Sequence, residues 1–526
     1  MPADPGEVTH EAVMERFEAS RDRVRTAMGG APKVAKIHAA GRRTVRGHIA
    51  GLVDPGSFAE IGTFVGEPGP DGLGELPLPG DGVVGGHATI DGRPVTVCGD
   101  DDTVRRGTSG PRGSLKATRL REMAVLRGNP FVLLGQTAGA RLPENLLSHS
   151  FATNGRVGNF DWLLGRARAV PVVSLIVGDS FGQSSFYSAL SDFVVQLDGT
   201  CLALTSPGVV EEATGERVTG EELGGSEGHA RHTGQIDARA STPEEAYALT
   251  RSFLSFLPSS AGRPLPVTDT GDCEDDEGLA RLVPLRRTRA YDVRRVITRL
   301  VDGDQLEMKP SFSPNIVTTL ARIGGTPVGI IANQPRSMAG TLTPDACLKA
   351  TRFLCLCDGF GIPMLFLVDN PGFLVGTAVE HDRALARAMQ LLQAVRLSRV
   401  AKCTVILRKA FGLGFLVMGG PNLGVGLSVA WPGAEIGFMD PAVAARVLFG
   451  GRARQLPADK QQEFLSGREA ELAQDFSPYG VASSMTIDEV IDPATTRRVV
   501  ADFLRSGRDA MVGMPPGPLA NWPFWS

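Results

Sequence analysis

The stretch ATIDGRPV at residues 88–95 returns as ARIGGTPV at residues 321–328, displaced by 233 positions. At the same displacement the pentapeptide LKATR occurs twice without change, at residues 115–119 and 348–352. Further landmarks keep this order and nearly this spacing: Pro130 and Pro363, the Phe-Gly pairs at 181–182 and 411–412, and the turns at 206–207 and 440–441. The repeat predicts that the chain holds two copies of one domain.

Each copy alternates short apolar segments with amphipathic ones. Residues 172–177 and 403–407 have the length and β-branched content of buried strands. Residues 115–127 and 346–357 carry apolar side chains at helical spacing. Strands that alternate with helices predict an α/β fold with a mostly parallel sheet.

Composition shifts suggest where the copies meet. The segment 261–277 contains Pro264, Pro266 and an acidic cluster, which is typical of a linker. We therefore expect a first domain at residues 1–262, a linker at 263–280 and a second domain at 281–526. Amphipathic helices are expected at residues 9–28 and 493–504.

The overall composition excludes several classes of protein. The chain has 526 residues, of which 42% are hydrophobic and 21% charged, so it can bury a large core. A net charge of −4 argues against a nucleic-acid-binding protein. The sequence contains no apolar run of about 18 residues that could span a membrane, and its N-terminus does not resemble a secretory signal. These features predict a cytoplasmic location.

Cysteine and histidine usage gives no sign of disulfides or metal. The seven cysteines are an odd number and are scattered, which predicts reduced thiols. Cys355 and Cys357 form a C-x-C pair inside a helical pattern, without further ligands nearby. His229 and His232 are close in sequence but lack a third ligand at a suitable spacing. We expect no metal site.

Glycine-rich turns follow the predicted strands in both copies. They lie at residues 137–140 (TAGA), 182–185 (GQSS), 370–373 (NPGF) and 412–415 (GLGF). At the carboxyl ends of parallel strands, main-chain N–H groups can point at a ligand and stabilise a developing oxyanion. Any one turn could be structural only, but four turns at equivalent places favour a functional site.

One motif offers a rival interpretation. Residues 178–182 (GDSFG) fit the G-x-S-x-G elbow of a serine hydrolase, with Ser180 as nucleophile and His381, His229 or His232 as base. However, no HGGG-type loop precedes the motif, and the equivalent RKAFG at residues 408–412 has no nucleophile. The hydrolase is therefore the least favoured function.

The chain resembles the carboxyltransferase, or β, subunits of biotin-dependent acyl-CoA carboxylases, which act on acetyl-, propionyl- or methylcrotonyl-CoA. The resemblance covers approximately residues 15–505. It rests on residues 36–60, TAGAR at 137–141, ELGG at 222–225, residues 291–334, VDNPGF at 368–373, RKAF at 408–411, AWP at 430–432 and IDPATTR at 491–497. It implies two tandem crotonase-like (ββα spiral) domains related by internal duplication.

The resemblance also implies the reaction. Such subunits move a carboxyl group from carboxybiotin to the α-carbon of an acyl-CoA. Biotin arrives on a separate carrier protein, the partner being the α subunit that carries biotin carboxylase and biotin carrier functions. Family members form hexamers, so we expect a homo-hexamer or mixed hexamer. Because carboxybiotin supplies its own base once it has lost the carboxyl group, no charged catalytic triad is needed.

The family pattern assigns roles to individual residues. The amides of Ala138 and Gly139 would hold the thioester oxygen, and those of Leu413 and Gly414 the ureido oxygen of biotin. The acyl-CoA side would comprise Arg106, Gly107, Thr108, Thr137, Ala140, Arg141, Gly182 and Gln183. The biotin and specificity side would comprise Pro371, Gly372, Phe373, Phe415 and Leu416.

The sequence departs from the family pattern at several of these positions. The family has Gly-Gly-Ala-Tyr-Asp where residues 412–416 read GLGFL, and smaller residues where Arg105 and Arg106 stand. Leu413 and Leu416 therefore predict an atypical acyl pocket. Arg105 or Arg106 could pair with a carboxylate of the substrate, although contact with a CoA phosphate or solvent is the simpler expectation.

Two alternatives stay open beside the carboxyltransferase. The same oxyanion-binding turns could serve an acyl-CoA decarboxylase that runs the reaction in reverse. The bulky Leu413 and Leu416 could instead mark a catalytically weakened scaffold subunit of a carboxylase complex.

Overall fold

The computed structural model describes residues 9–66, 79–108, 110–149, 152, 168–270 and 273–521. The chain divides into two compact units, Met1–Leu254 and Ser255–Ser526, so the division falls slightly before residue 262. The expected linker, residues 263–280, belongs to the second unit. Leu279 is fully buried in the core of that unit, and the Asp276 N–H donates to the Ala494 carbonyl at 2.9 Å.

Within the described part of the first unit, eight strands form one mixed sheet: β1 Ala59–Glu60, β2 Val83–Ile90, β3 Arg93–Asp100, β4 Phe131–Thr137, β5 Val172–Phe181, β6 Phe193–Leu197, β7 Leu202–Ala203 and β8 Ala238–Ala240. Their order is β1-β2-β3-β4-β5-β6-β8, with β7 paired to β5. Pairing is antiparallel from β1 to β3 and parallel beyond.

The helices described in this unit are α1 His10–Ala27, α2 Ala31–Ala39, α3 Val45–Leu52, α4 Pro111–Arg127, α5 Leu142–Asn145, α6 Gln183–Ala189, α7 Pro207–Thr214, α8 Gly220–Gly224, α9 Ser226–Gly228 and α10 Pro243–Phe256, which runs two residues into the second unit. The predicted N-terminal helix is confirmed as α1, which begins after Thr9. The Thr9 hydroxyl accepts a hydrogen bond from the Ala12 N–H and so caps the helix.

Among the described residues of the second unit, another eight strands form a sheet: β9 Gln305–Met308, β10 Ile316–Ile323, β11 Thr326–Asn333, β12 Met364–Asn370, β13 Lys402–Phe411, β14 Leu427–Ala430, β15 Glu435–Gly437 and β16 Glu489–Val490. The order is β16-β14-β13-β12-β11-β10-β9, with β15 paired to β13. Strands β9 to β11 are antiparallel and the others parallel.

The described helices here are α11 Val293–Leu300, α12 Pro344–Phe360, α13 Thr377–His381, α14 Ala384–Leu397, α15 Gly412–Val417, α16 Pro441–Ala453, α17 Ala458–Gln474, α18 Pro478–Ser483 and α19 Thr496–Gly507. The predicted helical face of α12 is confirmed, since Cys347, Ala350 and Leu354 are fully buried. On the sheet, Val296 and Leu300 of α11 join one apolar cluster with Val500 of α19.

The repeated octapeptide is a β-hairpin in both units. Ala88 of β2 lies opposite Val95 of β3, and Ala321 of β10 lies opposite Val328 of β11. The turns at residues 91–92 and 324–325 have positive φ throughout, 50° and 74° in the first and 57° and 74° in the second. This is the type I′ geometry that suits a two-residue hairpin loop. Duplication and the predicted α/β class are therefore confirmed in the structure.

Each of the seven cysteines is a thiol rather than half of a disulfide, and six of them are buried. In the part of the chain that the structure describes, no helix is both long enough and apolar enough to cross a bilayer.

Candidate active site

In the first unit, two glycine turns meet at the carboxyl ends of β4 and β5. Gly139 follows β4 with φ of 100°, and Gly182 precedes α6 with φ of 63°. A Cβ built on Gly182 would lie 3.5 Å from the Gly139 Cα and 3.8 Å from the Ala140 nitrogen. The structure thus brings together two motifs that are separate in the sequence, residues 137–140 and residues 182–185.

The segment Arg105–Gly107 lies beside the turn after β4 and has an unusual backbone conformation. Arg105, Arg106 and Gly107 all have positive φ, at 53°, 57° and 68°. A Cβ on Gly107 would lie 2.3 Å from the Gln136 carbonyl oxygen, so this position excludes a side chain. An arginine whose backbone adopts the left-handed conformation costs about 1 kcal/mol or more in conformational free energy. Such backbone strain is typical of functional loops.

The amides of the turn after β4 have partners inside the loop. The Ala138 N–H donates to the Arg106 carbonyl at 3.0 Å, and the Gly139 N–H donates to the Thr137 hydroxyl at 3.0 Å. The Gly182 N–H donates to the Leu204 carbonyl at 3.2 Å. A thioester oxygen would have to compete with the Arg106 carbonyl for Ala138, whereas the Thr137 hydroxyl can rotate away from Gly139. The role of this amide pair stays a prediction.

A cavity of about 560 Å³ opens beside this turn. Its lining includes Arg106, Thr137 and Ala138, which the sequence assigned to the acyl-CoA side and whose role stays a prediction. It also includes three basic residues that sequence reasoning missed (Lys33, Lys36 and Arg42), together with Ile37, Ala40, Asp102, Thr103, Gln136 and Asp179. Four cations against two carboxylates suit a ligand with phosphate groups.

Two predicted acyl-CoA residues act on the loop rather than on the cavity. Arg141 is 7% exposed and donates to Asp81 at 2.7 Å and Glu144 at 3.0 Å. It also donates to the Thr108 carbonyl at 2.9 Å, which ties together two of the predicted residues. These contacts make Arg141 a residue that positions the loop. The Gln183 amide reaches along α6 and donates to the Tyr187 hydroxyl at 2.9 Å.

In the second unit, the equivalent turn follows β12. Asn370 ends the strand, and its Oδ1 accepts a hydrogen bond from the Gly372 N–H at 2.7 Å. The Gly372 carbonyl accepts from the Leu342 N–H at 3.0 Å, and the Leu374 N–H donates back to the Leu342 carbonyl at 2.8 Å. The loop after Pro371 is therefore held by both its main chain and the Asn370 side chain.

Two glycines in the first turn of α15 pack so closely against neighbouring residues that neither position has room for a side chain. A Cβ on Gly412 would lie 2.8 Å from the Phe438 carbonyl oxygen, and one on Gly414 would lie 2.6 Å from Asn370 Nδ2. As the second and third residues of α15, Leu413 and Gly414 have N–H groups without an acceptor four residues earlier in the helix. Asn370 Nδ2 is itself buried without a hydrogen-bond partner. Main-chain and side-chain donors thus converge beside a cradle that a Cβ would fill, which fits the ureido oxygen of biotin.

A second cavity, of about 400 Å³, lies at this turn. Four residues that the sequence assigned to the biotin side line it, and their role stays a prediction: Pro371, Gly372, Phe373 and Leu413. The rest of the lining is Leu374, Val375, Glu380, Ala384, Leu385, Ala388, Phe411, Gly412, Phe438 and Met439. Its lining is almost entirely apolar.

The sequence also assigned Phe415 and Leu416 to this side, but neither is part of the described cavity lining. Phe415 is buried at 8% exposure, while Leu416 is 37% exposed. Of Leu413, Phe415 and Leu416, Leu413 is the one in the described cavity lining.

Buried ion pairs fix the strands that carry this turn. Asp369 of β12 is fully buried and accepts from Arg408 at 2.9 Å, with the Lys409 ammonium at 3.4 Å. Arg408 also donates to the carbonyls of residues 284, 286 and 289. Arg408 and Lys409 of the RKAF motif therefore position β13, whereas Phe411 of the same motif lines the cavity.

The structure contradicts the serine-hydrolase interpretation. Ser180 lies inside β5 rather than on a strand-to-helix turn, and it is fully buried. Its hydroxyl donates to the Ser184 hydroxyl at 3.1 Å, not to a histidine. Over the described residues, no three His, Cys, Asp or Glu side chains cluster in a way that could hold a metal.

Comparison with known proteins gives a consistent assignment. Residues 36–514 match the family model described as the carboxyl transferase domain. The biotin-dependent acetyl-/propionyl-coenzyme A carboxylase beta5 subunit of Mycobacterium tuberculosis is 36% identical over 511 residues, or 94% of this chain and 92% of that one. The methylmalonyl-CoA decarboxylase subunit alpha of Veillonella parvula is 36% identical over 500 residues, or 94% and 96%.

Among solved structures, the transcarboxylase 12S hexamer with methylmalonyl-coenzyme A bound superposes with a TM-score of 0.88, at 36% identity over 95% of this chain and 96% of that one. The chain belongs to the carboxyl transferase family. The predicted resemblance to carboxyltransferase subunits of biotin-dependent acyl-CoA carboxylases, with two crotonase-like domains, is confirmed.

Proposed function

We propose that this chain moves a carboxyl group between carboxybiotin and the α-carbon of an acyl-CoA, with acyl-CoA held by the first unit and biotin by the second. The observation that carries the proposal is a glycine turn in each unit: Gly139 after β4 has a φ of 100°, and Gly414 at the start of α15 lies so close to Asn370 Nδ2 that a Cβ would be 2.6 Å from it. Such turns let a ligand oxygen reach main-chain donors.

The first unit offers the chemistry that CoA requires. Lys33 and Lys36 lie on one face of the short helix α2 and line the same cavity as Arg42 and Arg106. These cations bind the phosphates, and the apolar Ile37 packs against the pantetheine arm. The thioester then lies at the turn after β4, where the Gly139 N–H receives its oxygen once the Thr137 hydroxyl has rotated.

Around the second cavity, the described residues supply hydrogen-bond donors and a single carboxylate. Glu380 is the one charged residue of the described cavity lining, and the turn offers the N–H groups of Leu413 and Gly414 with the Asn370 amide. Carboxybiotin, when bound, supplies both the carboxyl group and, after losing it, a basic nitrogen. The task of this chain is to orient the two ligands, to exclude water and to stabilise negative oxygen.

The apolar cavity at Leu413 favours a hydrocarbon acyl group. Transfer brings the α-carbon into contact with the carboxyl carbon of carboxybiotin, so the acyl chain extends near the biotin-binding turn. A lining of leucine, valine, phenylalanine and methionine stabilises each buried CH₂ by about 0.8 kcal/mol. We infer an acyl group bulkier than acetyl.

Assembly and location form part of the same proposal. The related transcarboxylase 12S is described as a hexamer that forms the core of a multienzyme complex. We infer that this chain also forms a homo-hexamer or a mixed hexamer and receives biotin from a separate α subunit. A cytoplasmic location agrees with the sequence-based expectation.

The direct test is transfer of labelled carboxyl groups from a carboxylated carrier protein to a panel of acyl-CoAs. We expect turnover with at least one hydrocarbon acyl-CoA. A folded protein that binds CoA but labels none of the panel would overturn the proposal.

A second candidate is the reverse reaction, because a relative of equal identity is named a methylmalonyl-CoA decarboxylase subunit. Release of CO₂ from a dicarboxylic acyl-CoA that depends on added biotin, without net carboxylation, would favour it. The scaffold alternative makes a different prediction. An inactive natural chain that gains activity in the Leu413→Gly, Leu416→Asp double variant would support it, and ordinary turnover by the natural chain would remove it.

A further inference from the structure

A buried carboxyl group with no counter-charge lies beside the acyl-CoA half of the site. Asp100 ends β3 and is 7% exposed, and its Oδ2 is buried without a hydrogen-bond partner. Three other buried aspartates are paired with arginines, Asp81 with Arg141, Asp192 with Arg168 and Asp369 with Arg408, whereas the carboxylate of Asp101 accepts two hydrogen bonds from Thr103. For Asp100 the described residues include no cation within ion-pair distance. An unpaired carboxylate in such a place is costly, so the neutral acid is the stable form.

Hydroxyl groups link Asp100 to the glycine turns. The Ser180 hydroxyl of β5 donates to the Ser184 hydroxyl of α6 at 3.1 Å, and Ser184 is in turn hydrogen-bonded to the Asp100 carboxyl. The Gln136 amide of β4 donates to the Asp100 carbonyl at 2.9 Å, which leaves the buried Gln136 Oε1 without a donor. Ser184 is the second residue of α6, directly after Gly182 and Gln183.

The charged and titratable groups around Asp100 come from three elements. Arg121 of α4 acts on it from a distance, with its guanidinium 4.1 Å from the centre of the Tyr187 ring of α6. Cys98 lies on the same strand, and burial raises the pKa of its thiol to about 12, so it stays neutral. Burial outweighs the hydrogen bonds and Arg121, and it raises the pKa of Asp100 to about 7.

The second unit lacks this arrangement. Asn333 stands 233 positions after Asp100, at the end of the equivalent strand, and its Nδ2 donates to the Gly340 carbonyl at 3.0 Å. At the places of Ser180 and Ser184, displaced by 230, the chain has Ala410 and Gly414. The chain of two hydroxyls that ends on a carboxyl is therefore specific to the first unit.

We propose that Asp100 changes between a neutral acid and a carboxylate near neutral pH, and that in its neutral form it is a positioning residue for the acyl-CoA half of the site. Through Ser184 it holds the first turn of α6 against the loop of Gly139. Loss of its proton places negative charge behind the turn where the thioester oxygen becomes negative. This last consequence depends on the proposed function, whereas the protonation state does not.

Infrared difference spectra of the free protein, natural chain minus Asp100→Asn, test the protonation state from about pH 5 to about pH 9. We expect the carbonyl band of a protonated carboxylic acid, which disappears as the pH rises through about 7. The Ser184→Ala variant should keep this band to higher pH, because it removes a hydrogen bond that favours the anion. The Ser188→Ala variant, in the same helix, should titrate like the natural chain. A carboxylate signal at every pH would overturn the proposal.

The positioning role is tested by the pH profile of carboxyl transfer. The natural chain should lose activity on the alkaline side, by about tenfold per pH unit above the pKa. Asp100→Asn should retain activity near neutrality and lack this decline. An unchanged decline in Asp100→Asn would overturn the positioning role. If the natural chain transfers no carboxyl group at all, the proposed function fails, and the infrared titration still decides the state of Asp100.

Discussion

Asp54 and Asp302 do the same work in the two units: each carboxylate receives both main-chain N–H groups of its hairpin turn. Asp54 accepts from residues 91 and 92 at 2.9 Å each, and Asp302 accepts from residues 324 and 325 at 3.0 and 2.7 Å. The two turns that define the repeat are therefore closed by the same side chain, supplied from just after α3 in one unit and just after α11 in the other. These carboxylates connect each hairpin to the helix that precedes it.

Neutralising Asp54 should weaken the first unit in a pH-dependent way. The hydrogen bond from the Thr89 hydroxyl, followed by that from the Gly92 N–H, lowers the pKa of Asp54. Its contribution to stability is thus complete above the pKa of the unfolded chain and is lost as the pH falls through the lower folded value. Asp54→Asn should lower the urea midpoint at neutral pH, and the difference should shrink below about pH 4. The exposed Asp304→Asn serves as control; equal effects of both would contradict the assignment.

The two lysines of the LKATR repeat should prove structural. Lys349 Nζ donates to the carbonyls of Phe312 and Ile316 at 2.9 and 2.8 Å, and Lys116 Nζ donates to the Val83 carbonyl at 2.8 Å. Lys116→Met and Lys349→Met leave buried carbonyls without donors, which costs about 1–3 kcal/mol each in the free energy of unfolding. Urea titration measures this, with the exposed Lys460→Met as control. Unchanged midpoints would show that water replaces the ammonium groups.

Gly414→Ala should abolish most carboxyl transfer while the protein stays folded. The new Cβ would meet the Asn370 amide at 2.6 Å and displace it or the first turn of α15. Loss of one donor to a developing oxyanion lowers kcat by about 100-fold to 1,000-fold. The matched control is Gly467→Ala in α17, where nothing lies within 4 Å of an added Cβ. Full activity of Gly414→Ala would exclude this turn from the active site.

The basic cavity of the first unit should determine CoA affinity. Lys33→Gln and Lys36→Gln should each raise the Kd for CoA by about threefold to tenfold. Added salt should weaken CoA binding less in these variants than in the natural chain, because fewer charges are left to screen. Calorimetry at two ionic strengths measures both effects. Equal weakening by Lys460→Gln, far along the chain on α17, would argue against a specific site.

Leu413 should control acyl selection, and Leu416 should not. Leu413→Ala enlarges the apolar cavity, so kcat/KM for a longer acyl-CoA should rise relative to that for propionyl-CoA, by about fourfold per additional CH₂ that fits. Leu416 lies outside the described cavity lining, so Leu416→Ala should leave the ratio unchanged. A larger change of this kcat/KM ratio in Leu416→Ala than in Leu413→Ala would show that the acyl pocket lies on the other side of α15.

The sequence reveals much of the scaffold because the duplication keeps a constant displacement over the hairpins and the helices α4 and α12. A search at this constant displacement does not find the two aspartates that bind the hairpin turns, Asp54 and Asp302. Asp302 follows Asp54 by 248 positions rather than 233, because the first copy has a longer segment between α3 and its hairpin. A pattern search that tolerates an insertion would have found the shared LVD at residues 52–54 and 300–302.

The site was predictable where the backbone itself demands glycine, as at Gly107 and Gly414. It was not predictable where a side chain acts through tertiary contacts. Lys33 reaches its cavity because of helix packing, and the Asn370 amide reaches Gly414 because of strand register. Phe415 is likewise buried in the core. The motif GLGFL at residues 412–416 does not by itself show which of its side chains are buried and which line a cavity.

The near-equivalence of the two hairpins also bears on how the chain reaches its native state. Strands β2 and β3 are adjacent in sequence, so they pair locally and early, whereas pairing with β10 or β11 requires closure of a loop of more than 200 residues. During synthesis the first hairpin and α4 are complete before the second copy leaves the ribosome. Refolding from denaturant releases both copies at once and restores the competition between right and wrong partners that vectorial synthesis avoids.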